Sequence, residues 1–354
     1  MLQTIITLVL IYQSFNFVEP SKPRIFEQDP NSLYICKGKL GESAACQCKT
    51  DEHLIQCINA QFVQTTLFLE VNHYTDIKKV TFHGNNFQTL PNASIFGDVV
   101  HHKMTHLNIS ANYIMELNSG SLKGLPNLRV LDLSNNEIVL KEKDIDFLTF
   151  LPRLEELYLR KAFIFRSNHT KQFDLMMKMF RKANLVNLKY IDLSYNFFSS
   201  LPYDLSCPFP SLQYINLGQN LLETIKMNSS CLSNIQTLDL SRNSFNSLDK
   251  NLTKFADNLP AQSLIIRSNF YCDCKSIEYI KWIRATDVIR EKNILKCFRS
   301  SPAEYSGSRI MEVPLDKLDC TLSLYNINAG HRHFSSMYSF SLAILPALFI
   351  YLYL

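Results

Sequence analysis

The sequence comprises 354 residues, of which 46% are hydrophobic and 19% are charged, and its formal net charge is +4. This composition is typical of a globular chain and excludes overall disorder. The length allows one large domain or two ordinary ones. The small net charge gives no reason to expect binding to nucleic acid, whose recognition usually requires a concentrated basic patch.

The chain begins with MLQTIITLVLIYQSFNF, in which the apolar run 5–12 is too short to span a bilayer. Such a run is typical of the central region of a secretory signal, and we predict a signal peptide over 1–18. A buried N-terminal helix is the alternative.

Ten cysteines, an even number, are consistent with an oxidising compartment. Five N-x-S/T sequons are compatible with passage through the secretory pathway. Their asparagines are Asn92, Asn108, Asn168, Asn228 and Asn251.

A phrase of the form L-x-x-L-x-L-x-x-N-x-L recurs through the middle of the chain, and successive copies begin 23 to 34 residues apart. These spacings are mostly within the usual range of leucine-rich repeats. The copies are IKKVTFHGNNF, MTHLNISANYI, LRVLDLSNNEI, LEELYLRKAFI, LKYIDLSYNFF, LQYINLGQNLL, IQTLDLSRNSF and the degenerate AQSLIIRSNFY.

Each position of the phrase has a physical reason. The x-L-x-L-x segment is a short strand whose leucines point inward while the x residues face outward. The asparagine turns the chain, and its amide can satisfy backbone groups that the turn leaves unpaired. Stacked units bury a continuous core beneath a parallel sheet. We therefore predict an α/β leucine-rich repeat solenoid over 61–268, a curved right-handed horseshoe with a parallel concave sheet and a disulfide cap at each end.

The fourth and fifth copies of the phrase begin 34 residues apart, which is the longest spacing in the array. In the fourth copy Ala162 replaces the repeat asparagine. We predict an insert over 162–187, with a polar, sequon-bearing loop and then an amphipathic helix of one or two turns. Phe173, Met177 and Phe180 share one side of that helix, a spacing that favours a core role over a ligand site.

Cys207 and Cys231 each follow a repeat asparagine by eleven residues. Equivalent positions of stacked units are neighbours, so we predict a disulfide between adjacent convex loops. Two free thiols are the alternative.

The other eight cysteines form two clusters, C-x9-C-x-C-x8-C before the first repeat and C-x-C-x22-C-x22-C after the last. A solenoid needs capped ends, and we assign an N-terminal cap to 32–60 and a C-terminal cap to 269–320. Sequence alone leaves three connectivities in each cap. A zinc site is the alternative for the C-x-C pairs, but the secretory context favours disulfides. The clusters resemble the cysteine caps of extracellular leucine-rich repeat proteins, and this resemblance implies the pairs Cys36–Cys48, Cys46–Cys57, Cys272–Cys297 and Cys274–Cys320.

A polar stalk over 321–336 precedes an uncharged apolar segment at 337–354, MYSFSLAILPALFIYLYL. We predict a lipid-anchor signal of the glycosylphosphatidylinositol type, with attachment at Asn328 and with Ser335-Ser336 as the second candidate site. A single transmembrane helix is the alternative. Either anchor would hold the solenoid at the extracellular face of the plasma membrane.

The sequence contains no phosphate-binding glycine loop, no H-E-x-x-H motif and no G-x-S-x-G motif. We therefore expect no enzymatic activity, no cofactor and no metal, and a solenoid whose function is binding. Exposed tyrosine is favoured at protein interfaces, so the outward residues Glu156, Tyr158, Tyr190 and Tyr214 are our candidate partner-binding residues. The aspartates of the repeated LDLS segments are generic. A glycan on Asn108 would block one end of the concave face.

Two longer stretches of sequence, the insert and the C-terminal cap, indicate a particular family of leucine-rich repeat proteins. The insert runs from LYLRKAFIF through a sequon to MMKMFRKANLVNLKYIDLSYNFFSSLPYDL, and the C-terminal cap reads FYCDCKSIEYIKWIRATDVIREKNILKCFRSSP followed by RIMEVPLDKLDC. Over 36–320 the chain resembles the trophoblast glycoprotein family. This resemblance implies a cell-surface glycoprotein that binds an extracellular ligand or receptor and modulates Wnt signalling, with inhibition as the expected direction. A pattern-recognition or adhesion receptor for microbial or matrix ligands is the alternative.

Overall fold

Each copy of the repeat phrase contributes one short strand to a single sheet. The computed structural model describes residues 36–164 and 169–321. The ten strands follow one another in chain order, and every pair after β1 and β2, which are antiparallel, is parallel. The predicted leucine-rich repeat solenoid is therefore confirmed. The strands are β1 (Cys46–Lys49), β2 (Leu54–Ile58), β3 (Lys79–His83), β4 (His106–Asn108), β5 (Val130–Asp132), β6 (Glu156–Tyr158), β7 (Tyr190–Asp192), β8 (Tyr214–Asn216), β9 (Thr237–Asp239) and β10 (Leu264–Ile265).

The core is one continuous apolar column behind this sheet. In each three-residue strand the central side chain is buried, because successive side chains of a strand point to opposite faces. Phenylalanines fill the space below, and Phe68, Phe82 and Phe96 are fully buried. Burial of such side chains stabilises the fold by about 1.5–3 kcal/mol each.

A row of buried repeat asparagines, which we call the asparagine ladder, joins each unit to the one before it. In Asn196 the side-chain Nδ2 donates to the Leu159 carbonyl at 2.8 Å, and Oδ1 accepts the backbone N–H groups of Ala162 and Phe163 at 2.9 and 3.1 Å. A buried backbone group without a partner would be costly, so these bonds fix the stacking. The ladder consists of Asn85, Asn112, Asn136, Asn196, Asn220 and Asn243.

The ladder is interrupted at Ala162, which has no side-chain amide. At this position a backbone group links the unit to the one before it: the Ala162 carbonyl accepts the Ile138 N–H at 2.9 Å. The convex side of this unit is filled by helix α1 (His169–Ala183), which at 15 residues is longer than the predicted one or two turns. Met177 and Phe180 of this helix are buried, so they belong to the core.

Each end of the solenoid carries two disulfides. The N-terminal pairs are Cys36–Cys48 and Cys46–Cys57, and the C-terminal pairs are Cys272–Cys297 and Cys274–Cys320, which are the pairs that the resemblance implies. A fifth disulfide, Cys207–Cys231, joins two adjacent convex loops. The described residues contain no free cysteine.

The remaining regular elements lie in the C-terminal cap and on the convex side. The cap contains the parallel strands β11 (Phe270–Cys272) and β12 (Cys297–Ser300) and helix α3 (Ile277–Ala285), and helix α2 (Lys250–Ala256) precedes it. Short 3-10 helices are Gly38–Glu42, Thr65–His73, Glu142–Asp144, Ser229–Leu232, Lys292–Ile294, Ala303–Tyr305 and Leu315–Lys317.

Several predicted features fall outside the described residues: the signal peptide at 1–18, the sequon asparagine Asn168, the attachment residue Asn328, and nearly all of the stalk and apolar segment at 321–354. Among the helices of 36–164 and 169–321, none combines the length and the apolar character that crossing a bilayer requires.

Candidate protein-binding face

The four predicted partner-binding residues lie together on the concave sheet. Glu156, Tyr190 and Tyr214 are direct partners in the register of β6, β7 and β8, and Tyr158 lies two positions further along β6, beside Asp192. We call Glu156, Tyr158, Tyr190 and Tyr214 the central tyrosine face. The insert adds residues between β6 and β7 without disturbing their pairing, so Tyr158 and Tyr190 are close in space although they are 32 positions apart in the sequence.

The three rings form a tilted stack across the strands. The ring centroids of Tyr158 and Tyr190 are 5.0 Å apart with an interplanar angle of 37°, and those of Tyr190 and Tyr214 are 6.4 Å apart at 36°. These separations are within the favourable range for aromatic pairs. Tyr214 is 37% exposed, and Tyr158 and Tyr190 are half-buried. The stack therefore presents a preformed aromatic surface that would lose little conformational freedom on binding.

The hydroxyls of Tyr158 and Tyr190 remain protonated. Burial raises the pKa of Tyr190 to about 12, and the nearby Asp192 carboxylate adds to this effect. The pKa of Tyr158 is raised by burial and then by its hydrogen bond to Glu156, in which the hydroxyl donates to Oε2 at 2.7 Å. The Tyr214 hydroxyl contacts the Gln236 side-chain oxygen. Around neutral pH Tyr158 and Tyr190 therefore offer phenol groups and not phenolates.

The next column of outward residues has a structural role that repeats along the sheet. Oδ1 of the aspartate or asparagine ending each strand accepts the backbone N–H two residues later, at 2.8 to 3.0 Å. Local bonds of this kind stabilise turns. The residues are Asn108, Asp132, Asp192, Asn216 and Asp239. Asp192 is also buried and accepts a second bond from Asn216 at 3.3 Å.

One predicted glycosylation site lies on the same sheet. Asn108 of β4 accepts the backbone N–H of Ser110 at 2.9 Å and the Ser110 hydroxyl, both through Oδ1. These bonds do not involve the side-chain amide nitrogen, which is the atom that would carry a sugar. Asn92 and Asn251 are exposed, and Asn228 caps a short 3-10 helix. The four described sequons therefore differ in position, and Asn108 is the one on the concave strands.

Two kinds of charged group beside the central tyrosine face were not predicted from the sequence as part of the site: two carboxylates and one guanidinium. Asp132 and Asp239 belong to the generic LDLS segments, yet both side chains are partly exposed on the concave sheet. The Arg160 guanidinium lies 4.1 Å from the centre of the Tyr195 ring at the edge of the sheet. A count of charge along each outward column would have revealed the carboxylates, because the column of Asp132 alternates acidic and neutral residues. Within the part of the chain that the structure describes, no group of three or more His, Cys, Asp or Glu residues could hold a metal ion.

Comparison with known sequences agrees with this architecture. The family model described as leucine rich repeat matches residues 102–161 and 187–245, two segments that stop and resume around the insert. Trophoblast glycoprotein of Macaca fascicularis is 23% identical over 287 residues, which cover 78% of this chain and 67% of that protein. The Mus musculus protein of the same name is 25% identical over 297 residues, with the same coverage of both chains.

More distant similarity extends to other receptors and to a solved structure. Toll-like receptor 5 of Homo sapiens is 23% identical over 252 residues, which cover 70% of this chain and 27% of that receptor. The crystal structure of human trophoblast glycoprotein, which is also named Wnt-activated inhibitory factor 1, gives a TM-score of 0.64 at 22% identity. The match covers 78% of this chain and 99% of that one, and it shows that the two share their fold.

Proposed function

We infer, from the premise that this chain is a cell-surface leucine-rich repeat protein of the trophoblast glycoprotein type, that it binds an extracellular protein through the central tyrosine face. The class is one of non-enzymatic, receptor-like glycoproteins, so the chain is not an enzyme. The observation that supports this site is the continuous stack of Tyr158, Tyr190 and Tyr214 on the concave sheet. Clustered tyrosines are typical anchors of protein interfaces.

The proposal for the signalling pathway is supported by the similarity to trophoblast glycoprotein. A protein of the same fold carries the name Wnt-activated inhibitory factor 1, and we propose that this chain inhibits Wnt signalling by binding a ligand or receptor of that pathway. The expected result is reduced output of a Wnt reporter in cells that display the full chain. Unchanged output at clear surface expression would contradict the pathway assignment.

The site is tested by a glycan placed on the face. Gly218→Ser creates an N-x-S sequon whose asparagine is Asn216, and serine already occupies the equivalent position in four other repeats. A Cβ at Gly218 would lie 3.1 Å from Asn216 Oδ1 and 3.3 Å from the Ser241 carbonyl oxygen, a tight fit in which no backbone atom comes closer than 3 Å. A sugar on Asn216 would stand beside Tyr190 and Tyr214 and exclude a partner. The four serines are Ser110, Ser134, Ser194 and Ser241.

The expected result is a glycosylated Gly218→Ser chain at the cell surface that no longer inhibits the reporter. Gly218→Ala is the matched control, because it adds the Cβ without creating a sequon, and it should inhibit normally. Peptide N-glycosidase treatment and gel mobility verify that the new site is occupied. Full inhibition by a verified glycosylated variant would show that the partner binds elsewhere.

A second candidate function is recognition of a microbial or matrix ligand. Its support is the similarity to toll-like receptor 5, which covers 70% of this chain. A binding screen of the displayed chain against such ligands separates the two functions. Capture that Gly218→Ser blocks, together with an inactive Wnt reporter, would favour this candidate.

We also propose that the chain is held at the plasma membrane by a lipid on Asn328, directed by the apolar segment at 337–354. Release of the chain from cells by phosphatidylinositol-specific phospholipase C is the expected result. Retention after treatment, with a known lipid-anchored protein released in parallel, would instead favour a transmembrane helix.

A further inference from the structure

We propose that the segment of the partner that docks on the central tyrosine face is basic and presents lysine or arginine side chains to Tyr158, Tyr190 and Tyr214. This inference rests on the proposed function, because it specifies the chemistry of the partner at the same site. It follows from the charges that surround the rings and from the way the neighbouring charges are paired.

The carboxylates around the face have no basic partner. Asp132, Glu156 and Asp239 are partly exposed on β5, β6 and β9. Among the ion pairs within 36–164 and 169–321, none involves any of these three side chains. Oδ1 of each aspartate accepts a turn N–H and Glu156 accepts the Tyr158 hydroxyl, but these are hydrogen bonds from neutral groups. None of the three carboxylates therefore forms an ion pair within the described residues, although Arg160, Arg242 and Arg267 line the same hollow as Asp239.

The residues that directly precede these strands are different. Glu155, one residue before Glu156, pairs with Arg129 at 3.3 Å and with Lys189 at 2.9 Å. The fold thus supplies cations to the flank of the sheet and leaves the carboxylates of the face unpaired. Glu155 is ion-paired and the adjacent Glu156 is not, and the overall charge composition of the surface does not explain this difference.

The electrostatic surroundings of the rings point the same way. The charged groups that shift the pKa of Tyr158 are Glu156 and Asp132, and both raise it. For Tyr190 they are Asp192, Glu156 and Asp239, and these also raise the pKa. The hydroxyls therefore lie in a negative field that a cation of the partner would relieve.

Aromatic rings and carboxylates recognise the same kind of side chain. A guanidinium or ammonium group is attracted to the face of a tyrosine ring, and its N–H groups donate to carboxylate oxygens. The described residues contain two such contacts, since Arg160 lies over the Tyr195 ring and Lys37 over the Tyr74 ring. An arginine or lysine placed over the tyrosine stack would combine both attractions, whereas an acidic segment would be repelled.

The test removes charge and keeps shape. The variant Asp132→Asn, Glu156→Gln, Asp239→Asn retains an acceptor oxygen at each position, and asparagine already serves at the equivalent positions Asn108 and Asn216. It also carries Ser134→Ala and Ser241→Ala, because asparagine at 132 or 239 would otherwise create an N-x-S sequon on the face. The control Glu42→Gln, Asp98→Asn, Glu223→Gln carries the same two serine substitutions and removes three exposed carboxylates that lie outside the strands. Both variants are displayed as full chains on cells, and the probes are fluorescent peptides of alternating arginine and serine or of alternating glutamate and serine.

The expected result is salt-sensitive binding of the arginine peptide to the unmodified chain and to the control, and binding about tenfold weaker to the concave variant. The glutamate peptide should not bind. Equal binding of the arginine peptide to the two variants would overturn the inference.

The reporter assay separates this inference from the proposed function. If Gly218→Ser abolishes inhibition while the concave charge variant inhibits as well as the control, the face is the binding site but the partner segment is not basic, and the inference fails alone. If Gly218→Ser still inhibits, the site itself is wrong. Loss of inhibition in the concave charge variant, with the control active, supports both.

Discussion

The two halves of the concave sheet share a scaffold and differ in what they present. In β3 to β5 the outward residues include Lys79, Thr81 and His106, and the sequon residue Asn108 lies among them. In β6 to β8 the equivalent positions hold the central tyrosine face. The strands of both halves pair in the same parallel register, and the same turn hydrogen bond closes them.

This difference teaches that the scaffold does not dictate the outward residues. The central residue of each strand and the ladder asparagine are fixed by burial and by backbone hydrogen bonds, so they recur in both halves. The outward positions are under no such constraint. A concentration of three stacked tyrosines in one half, beside unpaired carboxylates, is therefore better explained by binding than by folding.

The largest effect should come from a change to the scaffold of the second half, where the units of β6 and β7 stack. Asn196→Ala removes the acceptor of the Ala162 and Phe163 N–H groups and a donor to the Leu159 carbonyl. Leaving such buried groups unpaired should lower the free energy of unfolding by about 3 kcal/mol. Chemical denaturation of the purified chain with its disulfides intact measures this loss. A loss of less than about 1 kcal/mol would mean that water or relaxation replaces these bonds.

A smaller effect, confined to binding, should come from the tyrosine stack. Tyr190→Ala removes the middle ring and separates Tyr158 from Tyr214, so we expect partner affinity to fall by about 2 kcal/mol, or roughly thirtyfold. Lys79→Ala in the first half is the control and should bind normally. Titration of the displayed chain with the partner that the reporter or binding screen identifies gives both affinities. Equal losses for the two variants would erase the distinction between the halves.

Much of this architecture is predictable from the sequence, for physical reasons that particular residues illustrate. The repeat phrase predicts the strands because burial forces leucine inward and the turn demands an asparagine, as at Asn112 and Asn136. The conformation of the insert is not predictable, since the phrase is silent from Ala162 until it resumes at Leu188. It depends on helix α1, where Gln172 binds the backbone N–H and carbonyl of Leu140 at 2.9 and 3.0 Å.

The candidate site was less predictable than the fold. Tyrosine at outward positions identifies Tyr158, Tyr190 and Tyr214, but their stacking depends on how closely β6 approaches β7. The unpaired state of Asp132 and Asp239 depends on where the surrounding lysines and arginines point, which no local pattern records. Contacts between distant residues therefore decide the chemistry of the site.

The smallest effect should come from the sugar site of the first half. Asn108→Asp removes the sequon but keeps an acceptor oxygen for the Ser110 N–H, as the aspartates of β5, β7 and β9 do in the structure. We expect the free energy of unfolding to change by less than about 0.5 kcal/mol, with a gain in gel mobility that reports the lost glycan. Partner affinity should be unchanged, because the glycan would stand over β4 while the partner occupies β6 to β8. A marked gain in affinity would instead mean that the partner also reaches the first half and that the glycan limits its approach.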